Sequence, residues 1–196
     1  MSDLQYPVGK FQWAGSTTAE NRRRAIAAIA ATPGQLRAAV AGLSAKQLDT
    51  PYRPDGWTIR QVVHHVPESH MNAYIRFKLA LTEDQPTIKP YEQEHWANLP
   101  DVEGTPIETS LVLLESLHDR WVVLLRALSP EDFARTFKHP EMGEQSLDRT
   151  LALYAWHGAH HVAHVTSLRE RSGWAGRKPK AKSKTAGRKS KSKKKK

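Results

Sequence analysis

The chain has 196 residues, 39% of them hydrophobic, and contains no cysteine. That length suits one domain with a sizeable core, and the missing thiols exclude a disulfide framework and leave only nitrogen and oxygen as ligands for any transition metal. The net charge of +10 is a property of one end: residues 175–196 hold twelve Lys and Arg and no acid, and the rest carries 18 basic against 20 acidic residues.

Residues 1–7 lack a basic stretch followed by an apolar one, so no signal peptide is read. No segment approaches the roughly 18 apolar residues of a membrane span, and a cytoplasmic location is expected. Residues 1–16 read as an extended arm. A first helix is expected from Ser16, Thr17 or Thr18, which offer capping oxygens, through the Ala-rich stretch 24–31. Pro33-Gly34 should kink or break it, with helix resuming over 35–43. Pro54-Asp55-Gly56 is a turn signal. The second long helix spans about 58–81, with Pro67 expected to kink it. Residues 84–106, with four prolines, form a long connection. A third long helix covers about 107–128, and Ser129-Pro130 caps a short one to about 137. Residues 139–145 read as a turn or small hairpin. The last long helix runs from Ser146, a plausible N-cap, to Arg171, with Gly173 as its stop. The pattern is mainly α, a four-helix bundle with one long connecting loop.

Four of the ten histidines fall within eight residues of the last helix: His157, His160, His161 and His164. His157/His161 and His160/His164 are both i, i+4 pairs, the spacing at which two imidazoles on a helix close on one ion. Periodicity does not choose between the pairs. His64, His65 and His70, nearly a hundred residues upstream, are the source of a third ligand. His64 and His65 point about 100° apart and cannot share an ion, and His70 is a poor match to either face. Three histidines with an open fourth position make a catalytic type of zinc site. The competing reading is a polar core network. His95, His118 and His139 read as surface or packing residues. Glu68, three residues after His65, is a candidate acid or base. The tryptophans are core by default, with some available to line a pocket, and Arg60, Arg76 and Arg120 read as surface or ion-pair residues.

The strings Leu48-Asp49-Thr50-Pro51-Tyr52-Arg53, Gly56-Trp57-Thr58-Ile59-Arg60-Gln61-Val62-Val63-His64-His65, Ser69-His70-Met71-Asn72-Ala73-Tyr74 and Trp156-His157 through His161-Val162-Ala163-His164 closely resemble the YfiT group of metal-dependent hydrolases, within the DinB-like four-helix bundles. The resemblance covers about residues 4–174, so 1–174 is taken as the metal-binding bundle and 175–196 as a basic tail. It implies a cytoplasmic homodimer with one metal per subunit, usually zinc, with nickel or another divalent ion also compatible. It maps the ligands to His65, His157 and His161, and leaves His64, His160 and Glu68 as candidates for catalytic roles beside the ion. Pro67 departs from the alanine-like residue expected there. The implied reaction is hydrolysis of a small-molecule substrate by a metal-bound water, with zinc-dependent thiol S-transfer as the alternative that related DinB-like proteins suggest. A third reading gives function to the tail. Rich in Lys, Ser and Ala and without aromatics, it is expected to be disordered and to bind nucleic acid or another polyanion without sequence preference.

Overall fold

The structure, a computed structural model, describes residues 3–174. The tail lies outside the described residues. Four long helices form the body: α1 (Ala19–Val40), α3 (Ile59–Thr82), α6 (Ile107–Ala127) and α8 (Leu147–Arg171). Short elements fill the connections: α2 (Ala45–Leu48), α4 (Gln93–Trp96), α5 (Pro100–Gly104), α7 (Pro130–Ala134), and the hairpin of β1 (Thr136–His139) with β2 (Gly143–Ser146). The two strands pair antiparallel, Thr136 opposite Ser146. Among the described residues no helix is long and apolar enough to cross a membrane.

Side-chain caps start the helices where the sequence offers oxygens. Thr18 Oγ1 accepts from Asn21 N at the head of α1, and Ser146 Oγ from Arg149 N at the head of α8. Thr58 and Gln61 close a capping box on α3. The expected break at Pro33-Gly34 does not occur: helix α1 runs unbroken across it, and α3 is likewise continuous through Pro67. A proline inside a helix deletes one backbone bond, and here the flanking turns are held by packing on both sides. The fourth helix also ends at Ala134, earlier than expected, because Phe137 turns inward on β1 instead.

The core is in two parts. One cluster holds Ile26 and Ile29 of α1, Ala73 and Phe77 of α3, Trp121 and Leu125 of α6, and Leu151 and Tyr154 of α8. The other holds Leu36 and Val40, Ile59 through Val66, Leu111 and Leu114, and Val165 and Leu168. Chain order through these clusters gives the directions of the helices. α1 and α8 run from the first cluster to the second, while α3 and α6 run from the second to the first. Helix α1 packs on α6 and α8, and α3 packs on the same two. Successive helices α3 and α6 are therefore parallel neighbours, and residues 83–106 must travel back along the bundle to join them. That return is the physical reason for the long connection.

Between the two apolar clusters lies a polar layer: Thr32 of α1, Ser69 and His70 of α3, His118 of α6, and His157 and His161 of α8, all buried except for the half-buried His157. Gly158 sits in it because α1 comes too close for a side chain. A Cβ there would stand 2.5 Å from Thr32 Oγ1 and 2.9 Å from its Cγ2. Gly158→Ala should destabilise the protein by about 1–3 kcal/mol in urea unfolding, and Thr32→Ala in the same chain should restore most of the loss. Additive losses in the double variant would contradict this contact.

Candidate metal centre

Helix α3 brings His65 to the layer, and α8 brings His157 and His161 one turn apart. His65 Nε2 is 3.3 Å from His157 Nε2, and His161 Nε2 is 3.2 Å from the same atom. One nitrogen from each of the three lies within 4.8 Å of the others. Ligands about 2.0–2.1 Å from a tetrahedral zinc are about 3.3–3.4 Å apart, so two of the observed separations match the edge of such a site. The protonation state matches too. Burial first, and the neighbouring His160 second, push the His65 imidazole down to about 3. Burial, then the flanking histidines, hold His157 and His161 well below the ordinary range. Neutral imidazole is the form that binds a metal. The Nδ1 atoms of His65 and His161 are buried and have no partner among the described residues, so no hydrogen bond at Nδ1 fixes which nitrogen of either ring carries its proton. The three residues fit a divalent ion.

Above the three histidines opens a pocket of about 290 Å³. Its walls include Tyr52, Trp57, Trp156, His160 and His164, with Arg53, Asp55 and Glu94 among its charged lining residues. Trp57 packs its ring against His65 at 4.7 Å, and its Nε1–H donates to Glu94 Oε2 at 2.8 Å. The N-terminal arm lies across α8 and completes the wall: the Gln5 carbonyl accepts from His164 Nε2 at 3.1 Å, and the Gly9 carbonyl from Trp156 Nε1 at 3.0 Å. His164 is stacked on Tyr52 at 3.8 Å, and His160 on Trp156 at 4.4 Å.

The other sequence candidates divide. His160 lines the pocket, and burial followed by His164 lowers it to about 4, so it is neutral at pH 7. His64 turns away from it, with Nδ1 2.7 Å from Ser110 Oγ on α6. Glu68 is also outside the lining; burial, then the charge of Asp101, raises its carboxyl. His95 is exposed, as expected, and His139 accepts backbone N–H groups of Glu141 and Met142 in the hairpin turn. His118 and His70 are the residues the sequence reading undervalued. His70 Nε2 is 3.1 Å from His157 Nδ1, His70 Nδ1 is 2.8 Å from His118 Nε2, and His118 Nδ1 is 2.7 Å from the Ile29 carbonyl. The available signal was their place in the sequence, midway between the apolar stripes of α3 and α6.

The sequence profile of the DinB superfamily matches residues 28–165. A Bacillus mycoides protein named "Putative metal-dependent hydrolase" is 58% identical over 174 residues, 89% of this chain and all of that protein. A Bacillus cereus protein of the same name is also 58% identical over the same length. Among solved structures, YfiT from Bacillus subtilis, described as a probable metal-dependent hydrolase with an unusual four-helix bundle topology, is 46% identical with a TM-score of 0.85, covering 88% of this chain and 99% of that one. TT2238, a four-helix bundle protein, shares the fold at 20% identity and a TM-score of 0.55, covering 74% of this chain and 98% of that one.

The neutral histidines make stability depend on pH. Burial depresses His65, His70, His157 and His161 in the folded chain, so below about pH 6.5 the unfolded chain binds more protons. Stability of the metal-free protein should be full above about pH 6.5 and fall below it, by about 1.4 kcal/mol per pH unit for each histidine kept neutral. Urea midpoints measured from about pH 7.5 down to about pH 5 check this, and a flat profile would contradict it.

Proposed function

This chain belongs to the DinB superfamily, and on that premise we propose that it is a metal-dependent hydrolase in which His65, His157 and His161 hold one zinc ion beneath the pocket. The observation that carries the reading is the convergence of three neutral imidazoles on the floor of an open pocket, with His157 Nε2 at tetrahedral-edge distance from the Nε2 atoms of His65 and His161. A zinc ion held by three histidines lowers the pKa of a bound water to near 7 and polarises a carbonyl or phosphoryl oxygen. The close hydrolase-named relatives, covered over their whole length, support hydrolysis as the reaction class.

The remaining work falls to the chain's own residues. Tyr52, Trp57 and Trp156 wall the pocket with flat apolar surface, which admits a small-molecule substrate and limits water around it. Glu94 fixes the Trp57 ring through its indole N–H. Arg53 provides the cationic side of the lining. His160 is assigned the proton-accepting role: it lines the pocket and its imidazole is in the basic form at neutral pH. Glu68 and His64 lie outside the pocket lining and are given no such role.

Metal analysis of full-length protein, expressed without a histidine tag, should find about one zinc per chain, lost in His65→Ala and in His157→Ala/His161→Ala together with turnover of ester, amide or phosphoester substrates. His160→Ala should keep the metal and lose about 10²–10⁴-fold in rate, the usual range for one acid–base group. Wild type without stoichiometric zinc, even after its addition, would overturn the reading. Turnover that strictly requires a thiol and consumes its free sulfhydryl would replace hydrolysis with transfer.

A further inference from the structure

Nothing in the hydrolase reading explains the two innermost histidines of the layer. His70 is fully buried and His118 is 2% exposed, and neither hydrogen-bonds a carboxylate. Buried polar rings with no task are rare, since each must be satisfied or destabilise the fold. These two are satisfied by a single line of contacts that crosses the bundle from α1 to α8.

The direction of that line is fixed at one end. A carbonyl oxygen only accepts, so His118 Nδ1 carries the proton that goes to Ile29 O. A second proton on Nε2 would make His118 a buried cation without a counter-charge, which the interior disfavours. Nε2 of His118 is therefore bare and accepts from His70 Nδ1–H. The same argument applied to His70 leaves its Nε2 bare, accepting from His157 Nδ1–H. His157 then carries its proton on Nδ1 and presents an unprotonated Nε2 to His65 and His161. Trp121 and Tyr154 set their rings nearly perpendicular to His70, at 87° and 89°, and Trp121 does so to His118 at 88°, which holds the line in register.

The Ile29 carbonyl is free to anchor this line because of Pro33. In an α-helix the N–H of residue 33 would bond the carbonyl of residue 29, and proline has no N–H. The imide that looks like a defect in α1 opens the acceptor that His118 uses.

We propose that His118 and His70 are positioning residues that lock His157 in its Nδ1–H tautomer, so that its Nε2 is ready to bind a metal before the ion arrives. The proposal rests on the reading of His157 as a ligand. His65 and His161 have no such lock, because their Nδ1 atoms lack partners among the described residues. In the metal-free protein their Nε2–H groups, or the Ser69 hydroxyl 3.4 Å away, are able to donate to His157 Nε2. A ring that donates in this way must switch its tautomer when the ion binds, and His157 must not.

Nitrogen-15 NMR of the imidazole rings in full-length, metal-free protein reads this directly. Wild type should show His157 protonated at Nδ1 and bare at Nε2. His118→Leu, which removes the acceptor, should turn His157 into a mixture of tautomers, and His118→Gln, whose side-chain oxygen still accepts from His70, should keep the lock. Zinc affinity by competition titration should fall about 10–100-fold in His118→Leu, the usual effect of losing a partner behind a ligand, and much less in His118→Gln. A wild-type His157 protonated at Nε2, or one whose tautomer is the same in His118→Leu, would overturn the proposal. The wild-type spectrum decides even if the Leu variant fails to fold. If wild type binds no zinc, the hydrolase reading fails and the tautomer result still stands on its own.

Discussion

The structure depends on keeping a layer of neutral imidazoles inside a helical bundle. Imidazole is only weakly apolar, and a buried one must find a hydrogen-bond partner or a metal. Here the layer separates two apolar clusters, so each long helix has an apolar run, a polar step and a second apolar run. The clusters supply the folding drive, and the layer holds the three histidines that could take a metal ion. Thr32 and Gly158 let α1 and α8 approach closely where the layer crosses them, which keeps His157 next to His70.

The path of the chain follows from the same need. The layer takes its imidazoles from α3, α6 and α8, and its inner anchor from α1. With α3 and α6 parallel, the connection over 83–106 has to run the length of the bundle, and on its way Glu94 fastens Trp57 beside His65. The N-terminal arm does similar work on the opposite wall, where backbone carbonyls of Gln5 and Gly9 hold His164 and Trp156. Two segments without long helices thus shape the pocket around residues supplied by the bundle.

Much of this was legible in the sequence. The Ser16–Thr18 run and Ser146 marked helix starts because a capping oxygen is a local signal, and Thr18 and Ser146 are the caps. The cluster from His157 to His164 announced a site, but two i, i+4 pairs offered two faces, and only family resemblance chose between them. His70 and His118 were missed for a physical reason: the spacing rule asks which residues can share an ion, and these two touch each other and His157 instead. Their contact joins positions 48 residues apart on different helices, which no local period records. Pro33 was read as a breaker because propensity treats a missing N–H as a loss. It does not see that the freed carbonyl is used by another helix. The pocket walls at Tyr52 and Glu94 come from loops whose course depends on the finished bundle.

The central claim is that three imidazole nitrogens close on one ion. X-ray absorption spectroscopy of full-length protein loaded with one equivalent of zinc tests it most directly. The account predicts a four-coordinate first shell with three imidazole nitrogens at about 2.0–2.1 Å. A six-coordinate shell dominated by oxygen, or an unchanged imidazole count in His65→Ala, would contradict it.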